Sequence, residues 1–189
     1  MTSLLVILGL IGALVIFVVG IYNSLVQKRV QTENSWSQID VQLKRRYDLI
    51  PNLVETVKGY ASHEKGTLEA VINARSAAMG APSSDVAAQA MAENQLTGAL
   101  RQLFALAESY PDLKANENFA QLQEEIASTE NRIGFARQHY NDTVGTYNTA
   151  IEQVPNNFVA SYTGFSKKDF FEIDANEAEA VKKAPEIKF

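Results

Sequence analysis

The side chains that most often do chemistry are few in this sequence, and their spacing matches no catalytic motif. Its 189 residues include two histidines, His63 and His139, and no cysteine. His63-Glu64 lacks the second histidine of a zinc-protease helix, and no glutamate stands three residues before either histidine, as a di-iron bundle requires. Neither a glycine-rich phosphate loop nor a Gly-x-Ser-x-Gly elbow is present. We therefore expect no enzymatic activity, no metal and no cofactor.

Four charged residues at helix-packing positions are more informative. In a seven-residue frame over residues 36–74, Arg46 and Glu64 fall among apolar positions, and Glu130 and Arg137 lie seven residues apart in a later repeat. Charges at such positions must be paired or reach water. Either they form interhelical ion pairs that fix register, for example Arg46 with Glu130, or their long stems lie on apolar surface with the charges in solvent.

The elements that would position these residues begin with an apolar segment. No side chain in residues 1–27 is charged, and residues 4–21 are almost all aliphatic. About 20 such residues in a helix span the hydrocarbon core of a bilayer. A cleaved signal peptide is the alternative, but its basic start and small-x-small cleavage site are missing. We expect residues 1–27 to form one transmembrane helix in the lipid bilayer, with Tyr22 at the interface.

The flanking charges predict an orientation. Lys28 and Arg29 follow the apolar segment directly, and nothing basic precedes it. Positive residues are retained on the cytoplasmic side of a membrane. We therefore expect a single-pass protein with its N-terminus outside and its C-terminal domain in the cytoplasm.

Seven-residue apolar repeats predict long packed helices over most of the remaining chain. The first helix should continue from the span to about residue 79, with a kink at Pro51 or, alternatively, a second helix starting there. Two further helices should follow, over about residues 85–110 and 116–154, and their candidate N-caps are Ser83, Ser84 and Asn116. We expect an all-α fold in which the transmembrane helix continues into an antiparallel bundle of three to four helices.

This pattern divides the chain into four regions. They are a transmembrane helix over residues 1–27, a membrane-proximal helical stalk over 28–50, a helical bundle over 51–172 and a flexible charged tail over 173–189. The aromatic residues at 158–171 either dock on the bundle and close its core or form a partner site.

Helix lengths predict an uncovered apolar stripe on the stalk. The first helix would reach about 85 Å beyond the membrane, whereas the second returns only about 40 Å. Uncovered stripes mark interaction surfaces. Two small-xxx-small pairs on one face of the span point the same way, although glycine is also common in membrane helices that do not dimerise. We expect a homo-oligomer with a coiled-coil-like interface that includes Gly9, Ala13, Gly20, Ser24, Trp36, Ile39, Leu43 and Ile50.

The charge distribution argues against one class of partner. The formal net charge is −5, with about +2 on residues 28–60 and about −7 on the remainder. Nucleic-acid binding needs a basic face. We therefore expect no nucleic acid among the partners.

Several long segments occur in order and form one pattern: YNSLV, QIDVQLKRRYDLIPNLVETVKGYASHE, ENQL, ALAESYPDLKANENFAQLQEEIASTENRI, ARQHYNDTVGTYN and GFSKKDFFE. From about residue 22 to 172, the sequence resembles the LemA family of bacterial membrane proteins. The resemblance implies an N-terminal helix in the bacterial inner membrane, a short outside terminus and a cytoplasmic helical bundle. It implies no enzymatic activity or cofactor. Genes for membrane proteases are often found near those of the family, which suggests such a protease as a partner.

Three hypotheses of function follow. The first is a non-enzymatic scaffold or interaction platform that self-assembles at the inner membrane. The second is an accessory or adaptor subunit of a membrane protease or an envelope stress system. The third, least favoured by the residues, is an enzyme or ligand-binding module with a site between helices.

Overall fold

A computed structural model describes residues 1–82 and 84–172 of the chain. This part contains six α-helices and no strand, so the all-α fold expected from the apolar repeats is confirmed. The helices are α1 (Thr2–Lys58), α2 (Lys65–Gly80), α3 (Val86–Ala107), α4 (Pro111–Lys114), α5 (Glu117–Glu152) and α6 (Asn156–Thr163). Ser83, one of the candidate caps, and the predicted flexible tail at 173–189 lie outside the described residues.

Helix α1 is one continuous helix of 57 residues with Pro51 in its interior. The alternative that a second helix starts at Pro51 is therefore wrong, whereas the kink expected there stays a prediction. A proline costs a helix one backbone hydrogen bond and introduces a clash with the preceding turn. Here Ile50, Leu53 and Val57, on either side of the proline, are almost completely buried. We infer that packing of this apolar face holds the helix together through Pro51.

The expectation that the first helix reaches about residue 79 is also wrong, because α1 ends at Lys58. Gly59 follows, and the N–H groups of Tyr60 and Ala61 both donate to the carbonyl of Val57, at 3.0 and 2.8 Å. Glycine in a helix is about 1 kcal/mol less favourable than alanine, so it is a natural place for the helix to stop. The chain then turns, and α2 begins at Lys65.

Asparagine and aspartate side chains cap two of the later helices. Asn116 Oδ1 accepts a hydrogen bond from the N–H of Phe119 at 2.9 Å, as expected at the start of α5. At the start of α3, however, Asp85 Oδ1 accepts from the N–H of Ala88 at 2.9 Å. The expected cap by Ser84 is therefore wrong, because α3 begins one residue later than that assignment needs.

The chain divides into two compact units, which are described separately. The span unit comprises Met1–Ile39 and Ala136–Asp169. The bundle unit comprises Asp40–Phe135 and, among the described residues, 170–172. Helices α1 and α5 each contribute one part to each unit.

In the bundle unit, four helical segments alternate in direction. Arg75 Nε of α2 donates to the carbonyl of Tyr47 in α1 at 2.8 Å, and Asn116, just before α5, donates to Tyr60 Oη at 2.9 Å. With α3 returning beside α1, this is the up-and-down order of a four-helix bundle. The buried apolar core includes Leu43, Ile50, Leu53, Val57, Leu68, Val71, Leu96, Leu100, Leu103, Leu113, Phe119, Ile126 and Ile133.

In the span unit, the second half of α5 packs antiparallel on α1. The rings of Trp36 and Tyr140 have centroids 5.3 Å apart, and the hydroxyls of Ser35 and Thr143 share a hydrogen bond of 2.8 Å. Nearer the apolar segment, a cluster forms from Leu25, Tyr147, Ala150, Ile151 and Ala160, with Ile21 and Phe165 packed against it. Helix α6 is joined to the same core through Ala160.

The stalk stripe is not uncovered, so that expectation is wrong. In this single chain Ile39, Leu43 and Ile50 are at most 1% exposed, and Trp36 is half-buried. The length argument compared the first helix with the second only. The helix that returns along the stalk is α5, whose 36 residues extend about 54 Å.

The contribution of the turn that ends α6 to stability can be tested at Gly164. Its φ is +77°, and the N–H groups of Gly164 and Phe165 both reach the carbonyl of Ala160. We expect Gly164→Ala to lower the free energy of unfolding by about 1–2 kcal/mol, because a left-handed conformation strains any Cβ. The measurement is denaturant unfolding of the detergent-solubilised chain, followed by circular dichroism.

The matched control for this substitution is Gly134→Ala, inside α5, where an added Cβ meets nothing within 4 Å. There we expect a gain of about 0.5–1 kcal/mol, because alanine favours a helix. Equal effects at the two glycines would contradict the role given to the turn.

Candidate functional site

A buried polar cluster in the bundle unit is built around Arg46 of α1, whose side chain is 1% exposed. Its Nη2 donates to Glu93 of α3. Its Nη1 donates to Glu130 of α5 and, at 3.0 Å, to Thr97 of α3. One guanidinium therefore ties three helices together through charge-assisted hydrogen bonds. The Arg46–Glu130 contact expected from the sequence is present, and Glu93 is a further partner that the sequence analysis did not name.

Glu93 receives a donor on each carboxylate oxygen. Oε2 accepts from Arg46, while Oε1 accepts from Tyr47 Oη and, at 2.8 Å, from Gln89 Nε2. Gln89 Nε2 also lies 3.0 Å from Tyr47 Oη. Burial, and then the hydrogen bond to Glu93, raise the pKa of Tyr47, so the phenol stays protonated and keeps donating. The cluster is arranged to hold helices together rather than to present a reactive group.

A signal for Glu93 is present in the sequence. The apolar stripe of α3 includes Leu96 and Leu100, and its alternating spacing of three and four residues continues backwards to Glu93 and Gln89. Both are buried, at 3% and 6% exposure. Taken as apolar residues alone, the stripe ends at Leu96. Extending the spacing would have placed an acid at a core position to match Arg46.

The other two candidate charges have different surroundings. Glu64 Oε1 accepts a hydrogen bond from Tyr110 Oη at 2.9 Å, and this contact raises the pKa of Tyr110. Arg137 is half-buried on α5, within the span unit. An ion pair of either residue stays a prediction.

Neither histidine is buried. His63 and His139 are both exposed. Among residues 1–82 and 84–172, no group of three or more His, Asp and Glu side chains is placed to hold a metal ion.

The aromatic residues at 158–171 divide between the two alternatives raised by the sequence. In the span unit the ring of Phe165 packs edge-on against Tyr22, with centroids 5.7 Å apart, and Arg29 lies 5.1 Å over its face. Phe171, in the bundle unit, is 2% exposed. In contrast, Phe158 and Tyr162 of α6 are 68% and 93% exposed. Part of the segment is docked, and α6 presents two rings outward.

The residues that follow α6 are held by side chains of α5. We call residues 165–169 the C-terminal strap. Tyr147 Oη donates to the carbonyl of Ser166 and Tyr140 Oη to that of Asp169, each at 3.0 Å. Asn148 forms two hydrogen bonds of 2.9 Å with the backbone of Lys168, one in each direction. The strap is therefore fixed to α5 through its main chain.

The apolar part of α1 carries the remaining candidate residues. In the described chain α1 is the one helix long and apolar enough to cross a membrane, with an 18-residue window of mean hydropathy 3.2 that is only 6% buried. The four small residues of the candidate interface, Gly9, Ala13, Gly20 and Ser24, are all exposed there. Their role in self-association stays a prediction.

The cluster around Arg46 predicts strong coupling between two buried charges. We expect Arg46→Met and Glu93→Leu each to lower the free energy of unfolding by about 3–5 kcal/mol. The first leaves the buried Glu93 carboxylate without its cation, and the second leaves the buried guanidinium with only the partly exposed Glu130 as a carboxylate partner. The double variant should lose far less than the sum, since both charges are gone. Denaturant unfolding of the four chains in detergent measures this coupling.

The matched control for that cycle is Arg45→Met, at the exposed neighbouring position. It should change the free energy of unfolding by less than about 0.5 kcal/mol. Additive losses in the double variant would contradict the buried pair.

Tyr140 predicts a loss of stability at high pH. Burial, and then the nearby Asp169 carboxylate, raise the pKa of Tyr140 to about 12. An unfolded tyrosine ionises near pH 10, so between about pH 10 and 12 the unfolded chain binds fewer protons than the folded one and stability falls as pH rises. Tyr140→Phe should reduce this alkaline slope of the free energy of unfolding. Identical slopes in the two chains between these pH values would contradict the assignment, and measurements at pH 7 give the hydroxyl's hydrogen-bond contribution separately.

The relatives that comparison with known proteins finds are of moderate similarity. Magnetosome protein MamQ 2 of Paramagnetospirillum magneticum is 26% identical, over 80% of this chain and 64% of the relative. Magnetosome protein MamQ of Magnetospirillum gryphiswaldense is 25% identical, over 79% and 64%. Protein LemA of Metamycoplasma hominis is 29% identical, over 79% and 68%. The chain thus spans slightly less than two thirds of the length of the MamQ proteins.

The family comparison covers most of the chain. The model described as the LemA family matches residues 35–189, which include all helices from α2 onward and the part of α1 that packs in the bundle unit. The apolar segment of α1 lies before the matched residues. The chain is a membrane-associated helical protein and belongs to the LemA family.

Proposed function

We propose that this protein is a non-enzymatic, membrane-anchored platform that self-assembles and acts as a scaffold at the bacterial inner membrane. The observation that carries the proposal is the continuity of α1, which runs without a break from the apolar segment to Lys58. Leu25 and Ile39, both on this helix, are completely buried in the span unit. The anchor is therefore continuous with a helix of the folded core and is not joined to it by a flexible linker, which suits a protein that must hold a fixed orientation at a membrane.

The proposed orientation follows from the charges beside the apolar segment. Lys28 and Arg29 lie directly after it, and cations in this position favour the cytoplasmic side. The N-terminus would then lie outside and the folded helices in the cytoplasm.

Self-assembly is proposed through the span. Gly9, Ala13, Gly20 and Ser24 fall within about 60° of one another around α1, at about 100° per residue. A Cβ added at Gly9 or Gly20 meets nothing within 4 Å, so this face is open to a second helix. Small residues let membrane helices approach closely. The stalk residues Ile39, Leu43 and Ile50 add no support, because the chain itself covers them.

The test is the mass of the full chain in mild detergent, measured by light scattering coupled to size exclusion. We expect a dimer or larger assembly, and the double variant Gly9→Leu with Gly20→Leu should shift it towards the monomer, because two large side chains block close approach. Val15→Phe, which adds bulk on about the opposite side of α1, is the matched control and should leave the assembly intact.

Two outcomes would oppose this proposal. A monodisperse wild-type monomer would contradict self-assembly. Stoichiometric co-purification of a membrane protease with that monomer would support the adaptor role instead.

A further inference from the structure

The outward face of α6 carries aromatic residues where a surface helix normally carries polar ones. Ala160 is 3% exposed and belongs to the core of the span unit. Phe158 and Tyr162 lie on the opposite side of the helix, about 160–200° around from Ala160 at about 100° per residue. They are 68% and 93% exposed. One polar residue faces inward: Asn156 Nδ2 donates to the carbonyl of Ala150 at 3.1 Å. Two exposed aromatic residues on the outward face depart from the usual pattern of a helix on a water-soluble core, whose outward face is polar.

The position of α6 in the span unit indicates where this face lies relative to a bilayer that α1 would span. Ala160 shares its cluster with Leu25 of α1, and Ile21, at the end of the apolar segment, packs against the same cluster. Leu25 lies about 6 Å along α1 beyond Ile21. The polar layer on each side of the hydrocarbon core is about 5–8 Å thick. Helix α6 is therefore packed at the depth of that layer if α1 spans the bilayer.

We propose that α6 is an interfacial helix whose Phe158 and Tyr162 insert among the lipids of the membrane that α1 spans. The inference rests on the proposed membrane-spanning role of α1. Aromatic side chains are enriched at this depth, because the ring is apolar and the phenol hydroxyl can remain wet. Lys28 and Arg29, within about one helical turn of Leu25, lie where the headgroups of anionic lipids would neutralise them.

A lipid surface fits this face better than a second protein. Two aromatic side chains bury about 150–250 Å² each. Their sum is well below the roughly 1,000 Å² that a specific protein interface needs. The bilayer requires no such area, because α1 already holds the protein there and α6 only adds contacts to it. The exposed apolar residues of α1 end beside the cluster on which α6 packs.

The absence of cysteine allows a direct test in the full chain. Phe158→Cys and Tyr162→Cys each accept one nitroxide label, and both side chains point outward, so labelling should not disturb the core. The labelled chains are placed in vesicles of phosphatidylcholine and phosphatidylglycerol. Collision of the label with oxygen, which concentrates in lipid, is compared with collision with a water-soluble nickel chelate by electron spin resonance.

Labels at two further positions serve as references for the measurement. Val15→Cys reports whether α1 spans the membrane. Asp142→Cys, exposed on α5 about 12 Å along that helix from Ala150 and near the level of Ser35, reports water. We expect the ratio of oxygen to nickel accessibility at positions 158 and 162 to exceed that at 142 several-fold and to approach that at 15.

The outcomes separate this inference from the proposal on which it rests. Water-like ratios at 158 and 162 together with a lipid-like ratio at 15 would overturn the interfacial helix and leave the span intact. A water-like ratio at 15 would overturn both. Labels at 158 and 162 shielded from both reagents would mean that a protein covers this face, which also overturns the inference.

Discussion

Covering the apolar side of α1 is the constraint on which the rest of the structure depends. After the exposed apolar segment, α1 carries a stripe of buried residues that continues to Val57. Helix α5 supplies cover in both units: Tyr140 and Tyr147 in the span unit, and Ile133 among the core residues of the bundle unit. Helices α2 and α3 are needed only in the bundle unit. Because α1 is unbroken, its packing also decides how the apolar segment is attached to the folded helices.

Much of the fold could be predicted from the sequence, because long helices depend on a repeat that is visible locally. The all-α class and the Asn116 cap follow from residues a few positions apart. The prediction of an uncovered stripe on the stalk was wrong because it depended on which helix returns beside the stalk. That pairing is set by contacts between residues far apart in sequence. The end of α1 was missed for the opposite reason: Gly59 is a local signal, but the apolar repeat continues across it from α1 into α2.

The polar cluster was only half predictable for a physical reason. Arg46 is conspicuous because a cation interrupts an apolar frame, and its pairing with Glu130 could be proposed from helix faces. Glu93 lies at the same kind of position in α3 but is preceded by Gln89, so the frame there reads as the polar start of a helix. Burying the Arg46–Glu93 pair costs a desolvation free energy that an apolar core would avoid. We infer that the pair supplies a single register, because sliding α3 by one turn along α1 would leave Arg46 facing the wrong residues.

The main chain of residues 166–169 in the C-terminal strap is held by side chains of α5. Tyr140, Tyr147 and Asn148 contact three carbonyls and one N–H group of residues 166–169. Every amino acid offers the carbonyl, and every one except proline offers the N–H. The path of this segment is therefore encoded by α5, while Ser166 and Lys168 can be exchanged without losing the attachment. Substitutions at these positions can therefore change the side chains that the strap displays and leave the helical framework untouched.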